Sequence, residues 1–204
     1  MTDSESPASK PLISIIYHSG SGHTAEMSHA VAKGALSAGG VSVVEHRISD
    51  GDFTGGRWLN ENVLAQLDAS DAIIFGSPTY MGSVSAQLKA FMDSTSPRYL
   101  QRKWVDKLAA AFTVSGAPSG DKFNMLVNCA TFAMQHGMLW VGVAESAVTG
   151  EGYNRFGFFF GAGGYALLEP TDETPSAEDK LTGEMLGRRV ATLARRLRNA
   201  PAVT

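Results

Sequence analysis

Short apolar runs alternate with helix-spaced stripes along this chain. Residues 12–17 (LISIIY) form a continuous apolar run rich in β-branched side chains, the pattern of a strand buried on both faces of a parallel sheet. Comparable runs at 41–45, 72–75, 108–114 and 138–143 predict four more strands. Helices are predicted between them, over 23–38, 83–94, 121–135 and 177–197. In the first, Met27, Val31 and Ala35 recur at helical spacing until Gly39 and Gly40 stop the pattern. The last carries the cleanest stripe, Leu181, Leu186, Val190, Leu193 and Leu197, behind the start signal Pro175, Ser176 and Asp179. Such alternation predicts an α/β fold with a parallel sheet covered by helices on both faces.

Two stretches resist this reading. Residues 50–66 are mixed, with Gly51, Gly55 and Gly56 ahead of a short apolar pattern at Leu59, Val63 and Leu64, and read as a loop plus one short helix. Residues 150–174 are rich in glycine and aromatics and fit no period. Long excursions of this kind often serve function or an interface. The Phe158, Phe159 and Phe160 run within it suits either a subunit interface or the chain's own core.

Composition narrows the class. With 204 residues, 44% hydrophobic and 18% charged, the chain fits one globular domain, expected over 11–198 between a loose tail at 1–10 and a short one at 199–204. The first ten residues lack a basic start and apolar segment, and no run approaches the roughly 18 apolar residues of a membrane helix, so a cytoplasmic location is expected. The single cysteine, Cys129, excludes an internal disulfide and a cysteine-based metal cluster, and no metal is implied. A net charge of -3, from 17 basic and 20 acidic residues in no long blocks, leaves no electrostatic footprint for nucleic acid. It also falls short of the acidity that steers small electron carriers onto basic partners.

Chemistry concentrates in loops that follow predicted strands, where open parallel sheets bind ligands. The first is Ser19, Gly20, Ser21, Gly22, His23 and Thr24, between strand and helix. A glycine-rich turn there aims free backbone N–H groups and a positive helix end at one point, which suits an anion. Gly20, Gly22 and Ala25 also satisfy the dinucleotide pattern G-x-G-x-x-A, with Glu45 about 20 residues on. The hydroxyls of Ser19, Ser21 and Thr24 favour a terminal phosphate monoester, which needs more donors than a bridging pyrophosphate. A plain turn with Thr24 or Ser21 as helix cap is the bland alternative.

The loop after the third strand, Gly76 to Gly82, contains Pro78, Thr79, Tyr80 and Met81, a rigid turn offering a flat ring and a polarizable side chain to an aromatic ligand. The loop after the fourth, Ser115, Gly116, Ala117, Pro118, Ser119 and Gly120, is small enough to take a sugar-like part of the same ligand. His136, before Gly137, also has a structural explanation as a favourable charge at a helix end.

The segments SGSGHTAEM (19–27), GSPTYMGSVSAQLKAFMD (76–93), LAAAFTVSG (108–116) and QHGM (135–138) resemble, in order and spacing, the flavodoxin-like NAD(P)H:quinone oxidoreductases of the WrbA type. That resemblance implies a flavodoxin-like, doubly wound, five-stranded parallel sheet of order 2-1-3-4-5. It further implies FMN as cofactor, NADH or NADPH as co-substrate, a quinone or other small planar acceptor, and a homo-oligomer, dimer or tetramer. FMN would be bound by Ser19, Gly20, Ser21, Gly22, His23 and Thr24 at its phosphate. Pro78, Thr79, Tyr80, Met81 and Gly82 would lie at its ring, and Ser115, Gly116 and Ala117 at the ribityl chain or ring edge. His136 would approach the pyrimidine end and act in catalysis, and Tyr99 stands where the family has a tryptophan over the substrate, with Trp104 close by. The chain departs from the family at 117–122 (APSGDK), where a run of glycines and a Gln-Glu-Thr stretch are usual, and at Tyr80, where a basic residue is common.

Overall fold

The computed structural model describes residues 10–148 and 152–199. Strands β1 (Leu12–Tyr17) and β2 (Ser42–Arg47) flank helix α1 (His23–Ser37) and pair in parallel along their whole length. A turn of 3-10 helix at Asp50–Asp52 leads into a separate ribbon, β3 (Phe53–Thr54) antiparallel to β4 (Arg57–Trp58), and then α2 (Glu61–Ala69). The chain continues through β5 (Ala72–Pro78), α3 (Ala86–Ser94), α4 (Ser96–Leu100), β6 (Leu108–Ser115) and α5 (Lys122–Gln135). It ends with β7 (Leu139–Trp140), β8 (Ala162–Tyr165) and α6 (Ala177–Arg198).

The main sheet is parallel and six-stranded, in the order β2-β1-β5-β6-β7, with β8 also paired to β6. The expected five strands in the order 2-1-3-4-5 are corrected in two ways. The ribbon β3–β4 intervenes in the chain without joining the sheet, so β5 takes the position beside β1 and β6 the one beyond it. The edge position beyond β6 is shared: β7 pairs with Leu108 and Ala109, and β8 with Phe112 to Ser115. The strand expected over 138–143 stops at Trp140 because Val143 N–H turns to the Phe159 carbonyl (3.0 Å), and the excursion closes on itself before the chain rejoins the edge.

Two cores explain which side chains face where. On one face Ile13, Ile15, Ile74, Ala110 and Phe112 pack against Met27, Val31 and Ala35 of α1 and Leu186, Val190 and Ala194 of α6. On the other, Ile73, Phe75, Ala109 and Ala111 meet Leu67 of α2, Leu88 and Phe91 of α3, and Met125 and Cys129 of α5, with Trp58 and Trp104 closing the end. Every residue of β5 and β6 is buried, as continuous apolar runs require. Cys129 is a free, buried thiol whose pKa burial raises. Among the described residues no helix is long and apolar enough to cross a membrane, and no three His, Cys, Asp or Glu side chains converge on a metal position. The tail expected at 1–10 lies, but for Lys10, outside the described residues, as does most of 199–204.

Helices α1 and α6 approach so closely that a Cβ at Gly34 would strike the Glu184 backbone, and one at Gly187 would strike the Val31 carbonyl. Glycine to alanine within a helix ordinarily stabilises by about 1 kcal/mol. Here overpacking reverses the sign: Gly34→Ala and Gly187→Ala should each lower stability by roughly 1–3 kcal/mol in urea titrations, and a gain would contradict this helix contact.

Candidate functional site

The loops expected to carry chemistry meet at the carboxyl edge of the sheet. In the first, Gly22 adopts the left-handed conformation (φ 99°) and precedes α1 without a capping side chain. Ser19 Oγ accepts from the N–H groups of Gly22 and Ala25, both at 3.2 Å. The N–H groups of His23 and Thr24, in the first turn, have no acceptor among the described residues, so the positive end of α1 stands open. Neither Thr24 nor Ser21 caps the helix: Ser21 Oγ bonds His23 Nδ1 (2.9 Å), and His23 Nε2 bonds the Glu169 carbonyl (2.8 Å). Because a carbonyl only accepts, Nε2 carries a proton and donates to Glu169, while Nδ1 is held by the Ser21 hydroxyl. Arg47 donates to the Ser19 carbonyl at 2.9 Å.

In the second loop Thr79 is tied to β6 by its N–H to the Val114 carbonyl (2.9 Å) and its hydroxyl to Thr113 (2.7 Å). Tyr80 and Ser83 bridge one another, and Ser85 caps α3 by accepting from Leu88 N–H, so this helix starts at Ala86 rather than 83. The Tyr80 hydroxyl lies where a side chain at Gly20 would fall, so the second loop reaches over the first. Met81 is fully exposed with φ 46°, a strained conformation for a long side chain, and sites of ligand contact are where such strain gathers. Pro78 ends β5, and the Gly82 carbonyl accepts from Asn124 of α5 at 2.7 Å.

The third loop is drawn inward. Ser115 Oγ and Lys122 Nζ donate to the Ala117 carbonyl at 3.2 and 2.6 Å, and Lys122 also reaches Pro118. Leu167 occupies the place a side chain at Gly116 would take, which introduces a fourth segment that sequence reasoning missed. Residues 165–171 bridge the first and third loops: Leu167 packs on Gly116, Thr171 lies 2.8 Å from where a Cβ at Gly22 would stand, and the Glu169 carbonyl holds His23. The Glu169 carboxylate takes the N–H of Leu167 (2.8 Å) and Leu168 (3.1 Å), bonds that hold its carboxyl below the usual carboxylate range. The strand behind this segment, β8, is four residues long and half glycine, too short for any periodic signal. His18 was missed as well. Its ring is edge-on to Tyr80 (6.4 Å), and its buried Nδ1 has no partner among the described residues. Burial and then Arg47 lower its pKa.

Tyr99 and His136 are not brought to this edge. α5 runs back against β6 and ends beside Lys107 and Leu139, at the opposite edge, and the eight residues of β6 alone span about 25 Å. There His136 packs against Trp104 (4.5 Å), Phe132 (4.8 Å) and Tyr99 (6.1 Å), with Nε2 at 3.0 Å from Thr95 Oγ1 and a buried Nδ1 that has no partner among the described residues. Burial lowers its pKa to about 4, so the ring is neutral at pH 7. Both residues border a cavity of about 410 Å³ between α3 and α5, with Lys89, Asp93, Asn128 and Gln135.

A parallel sheet with an open helix end and three ligand loops at one edge defines a flavodoxin-like nucleotide-binding protein. A family model described as NADPH-dependent FMN reductase matches residues 13–150. A Pseudomonas aeruginosa protein named flavodoxin FldP is 35% identical over 191 residues, 90% of this chain and 96% of its own length. An Archaeoglobus fulgidus protein named NAD(P)H dehydrogenase (quinone) is 33% identical over 199 residues, 91% of this chain and 98% of its own. The solved WrbA-like flavodoxin of Agrobacterium tumefaciens superposes with a TM-score of 0.73 at 36% identity, covering 91% of this chain and 98% of that one. The chain belongs to the NADPH-dependent FMN reductase family, and with it to the FMN-dependent oxidoreductases of flavodoxin-like fold.

The residues present fit FMN. The open N–H pair at α1, the hydroxyls beside it and the orphaned buried nitrogen of His18 offer partners to a phosphate monoester, and the small residues of the third loop leave backbone exposed to a sugar-like chain.

One prediction concerns His136. The native ring stays neutral down to about pH 4 while the unfolded ring protonates near 6.5, so the unfolded state binds more protons in that window. Stability should therefore fall as pH drops from 6.5 towards 4, by up to about 1.4 kcal/mol per pH unit. His136→Phe should flatten this slope in acid-range thermal melts, and an unchanged slope would refute the assignment.

Proposed function

We propose that the protein transfers two electrons from NADH or NADPH through bound FMN to a quinone or other small planar acceptor. The observation that carries this reading is the hydroxyl-lined amino end of α1, its His23 and Thr24 N–H groups open among the described residues, lying at one sheet edge with the loops at 78–82 and 115–117. When bound, FMN supplies hydride acceptance from the nicotinamide and onward reduction of the acceptor. The chain's own part is to bind and orient. Ser19, Gly20, Ser21, Gly22, His23 and Thr24 hold the phosphate, with His23 fixed by Ser21 and Glu169 so that its ring cannot swing away. Pro78, Thr79, Tyr80, Met81 and Gly82 support the ring, and Ser115, Gly116 and Ala117 its edge. One opening then serves nicotinamide and acceptor in turn, which gives ping-pong kinetics.

Tyr99 and His136, on the far edge of their own chain, can meet a flavin only from a second copy. The reading therefore includes a homo-oligomer, dimer or tetramer, in which this pair from one subunit faces the flavin loops of another. A second reading, a flavodoxin-like carrier, is favoured by the name of the Pseudomonas relative.

Purified protein, reconstituted with FMN and desalted, should keep flavin absorption that bleaches under anaerobic NADH or NADPH and returns with a quinone. Retained flavin that neither nicotinamide bleaches would select the carrier, and no retained flavin would remove the FMN site. For the shared site, His136→Ala and Gly22→Val should each lose most turnover as pure oligomers. Subunit exchange between them should recover a substantial fraction, whereas recovery of none would restrict catalysis to a single chain.

A further inference from the structure

The departure at 117–122 places a lysine where a lysine is costly. Lys122 opens α5 and is fully buried, and among the described residues its ammonium makes no ion pair. Its hydrogen bonds go to two carbonyls, those of Ala117 (2.6 Å) and Pro118 (3.2 Å), both in the third loop. Beneath it lies the Phe156 ring, 4.9 Å from Nζ, whose ring also carries the Arg155 guanidinium at 4.3 Å. The nearby carboxylate is otherwise engaged: Asp179 at the start of α6 takes two bonds from Arg155 (2.6 and 2.9 Å) and the N–H of Tyr165 (2.9 Å). A buried ammonium with only dipoles for partners is a net positive charge in a poorly screened place.

Two consequences follow from elementary chemistry. Because a trans peptide sets C=O and N–H in opposite directions, turning the Pro118 carbonyl onto Lys122 turns the Ser119 N–H away from it, so the ammonium dictates the loop's conformation. A flavin that gains two electrons and one proton carries one added negative charge, and a fixed cation behind its binding loop favours that form over the neutral oxidised one. His136 cannot supply such a charge, being neutral and at the other edge.

We propose that Lys122 is a positioning residue for the flavin site: it fixes the Ala117–Pro118 turn and, as a buried cation behind that turn, biases bound FMN towards its reduced form. The inference rests on the FMN reading above. The charged groups facing Lys122 are Asp179 of α6 and Arg155 of the excursion, with Asp121 preceding it on its own helix; β6 carries no titratable side chain and β8 only Tyr165. Burial, partly offset by Asp179, brings the Lys122 pKa down to about 8, so the group is predominantly charged at pH 7.

The test compares wild type with Lys122→Met and Lys122→Arg at pH 7. In flavin-free protein, exchange of the residue-122 amide, which donates to the Ser119 carbonyl at 3.1 Å, should quicken at least tenfold in Lys122→Met and return towards wild type in Lys122→Arg. With FMN bound, the preference for reduced over oxidised flavin should fall about tenfold in Lys122→Met, a potential lower by about 30 mV for a two-electron couple, and be retained in Lys122→Arg. Unchanged exchange, or a potential that Lys122→Met leaves at the wild-type value, overturns the proposal. Should Lys122→Met not fold, Lys122→Gln, which keeps one donor without charge, carries both measurements. Should no variant nor wild type retain FMN, the flavin reading fails and the potential shift it implies fails with it, while exchange in flavin-free protein still decides whether Lys122 fixes the loop.

Discussion

The complete burial of β5 and β6 is the constraint on which the rest of the molecule depends. With both strands buried along their length and only Ser115, at the carboxyl end of β6, as much as 9% exposed, helices must cover both faces, and side chains within the central sheet are left no room for chemistry. Even the pairing is volume-matched: Gly76 stands opposite Phe112 in register, and the Phe112 ring occupies the space a side chain at Gly76 would need. Polar function is thereby pushed to the strand ends, where Ser19, Thr79 and Ser115 emerge from the three central strands. Close packing of α1 on α6 then sets the height and direction of the open α1 end, so the core and the candidate phosphate site are one problem in packing.

A second set of contacts ties the late part of the chain to that edge. Asp179, almost fully buried, joins the start of α6 to Arg155 in the excursion and to the Tyr165 N–H in β8. From β8 the chain runs directly into 165–171, which leans on Gly116 and reaches His23 through Glu169. The excursion splits the sheet edge into β7 and β8, and by doing so delivers a segment that links two loops otherwise separated by β5. A bidentate Arg–carboxylate pair, here with the carboxylate buried and the guanidinium partly exposed, adds geometric definition as well as energy, which suits a joint on which loop positions depend.

Sequence pattern carried far where elements were long. The four long helices and the three central strands lie within a few residues of their expected limits, because continuous apolar runs and stripes such as Leu186, Val190 and Leu193 leave little choice. The three loops were legible for the same reason, being the glycine-rich ends of strands already found. What pattern could not reveal depended on partners distant in sequence. β8 has four residues, two of them glycine, and becomes a strand only because Phe112 to Ser115 offer it an edge. His18 falls one residue past the strand read at 12–17, and the Tyr80 ring that stands edge-on to it is 62 positions away in sequence. Lys122 was visible only as part of the 117–122 departure, since the groups around it, the Phe156 ring and Gly163 of β8 among them, lie 34 and 41 positions away.

The positions of Lys122 and His136 divide two tasks that sequence resemblance had joined. A group that stabilises charge on a ligand must be charged, or a firm donor, and near the ligand loops. His136 is neutral, wedged among Trp104, Phe132 and Tyr99 at the amino edge, and its value there is shape and polarity within a cavity rather than charge. Lys122 is charged, on the carboxyl edge and directly behind a ligand loop, but wholly covered, so it can act only through the backbone it holds and through its field. If a second subunit brings its Tyr99 and His136 over the flavin loops, charge comes from beneath within one chain and the roof comes from another. Binding strength and substrate selection would then be alterable separately, the first at 117–122 and the second around Tyr99.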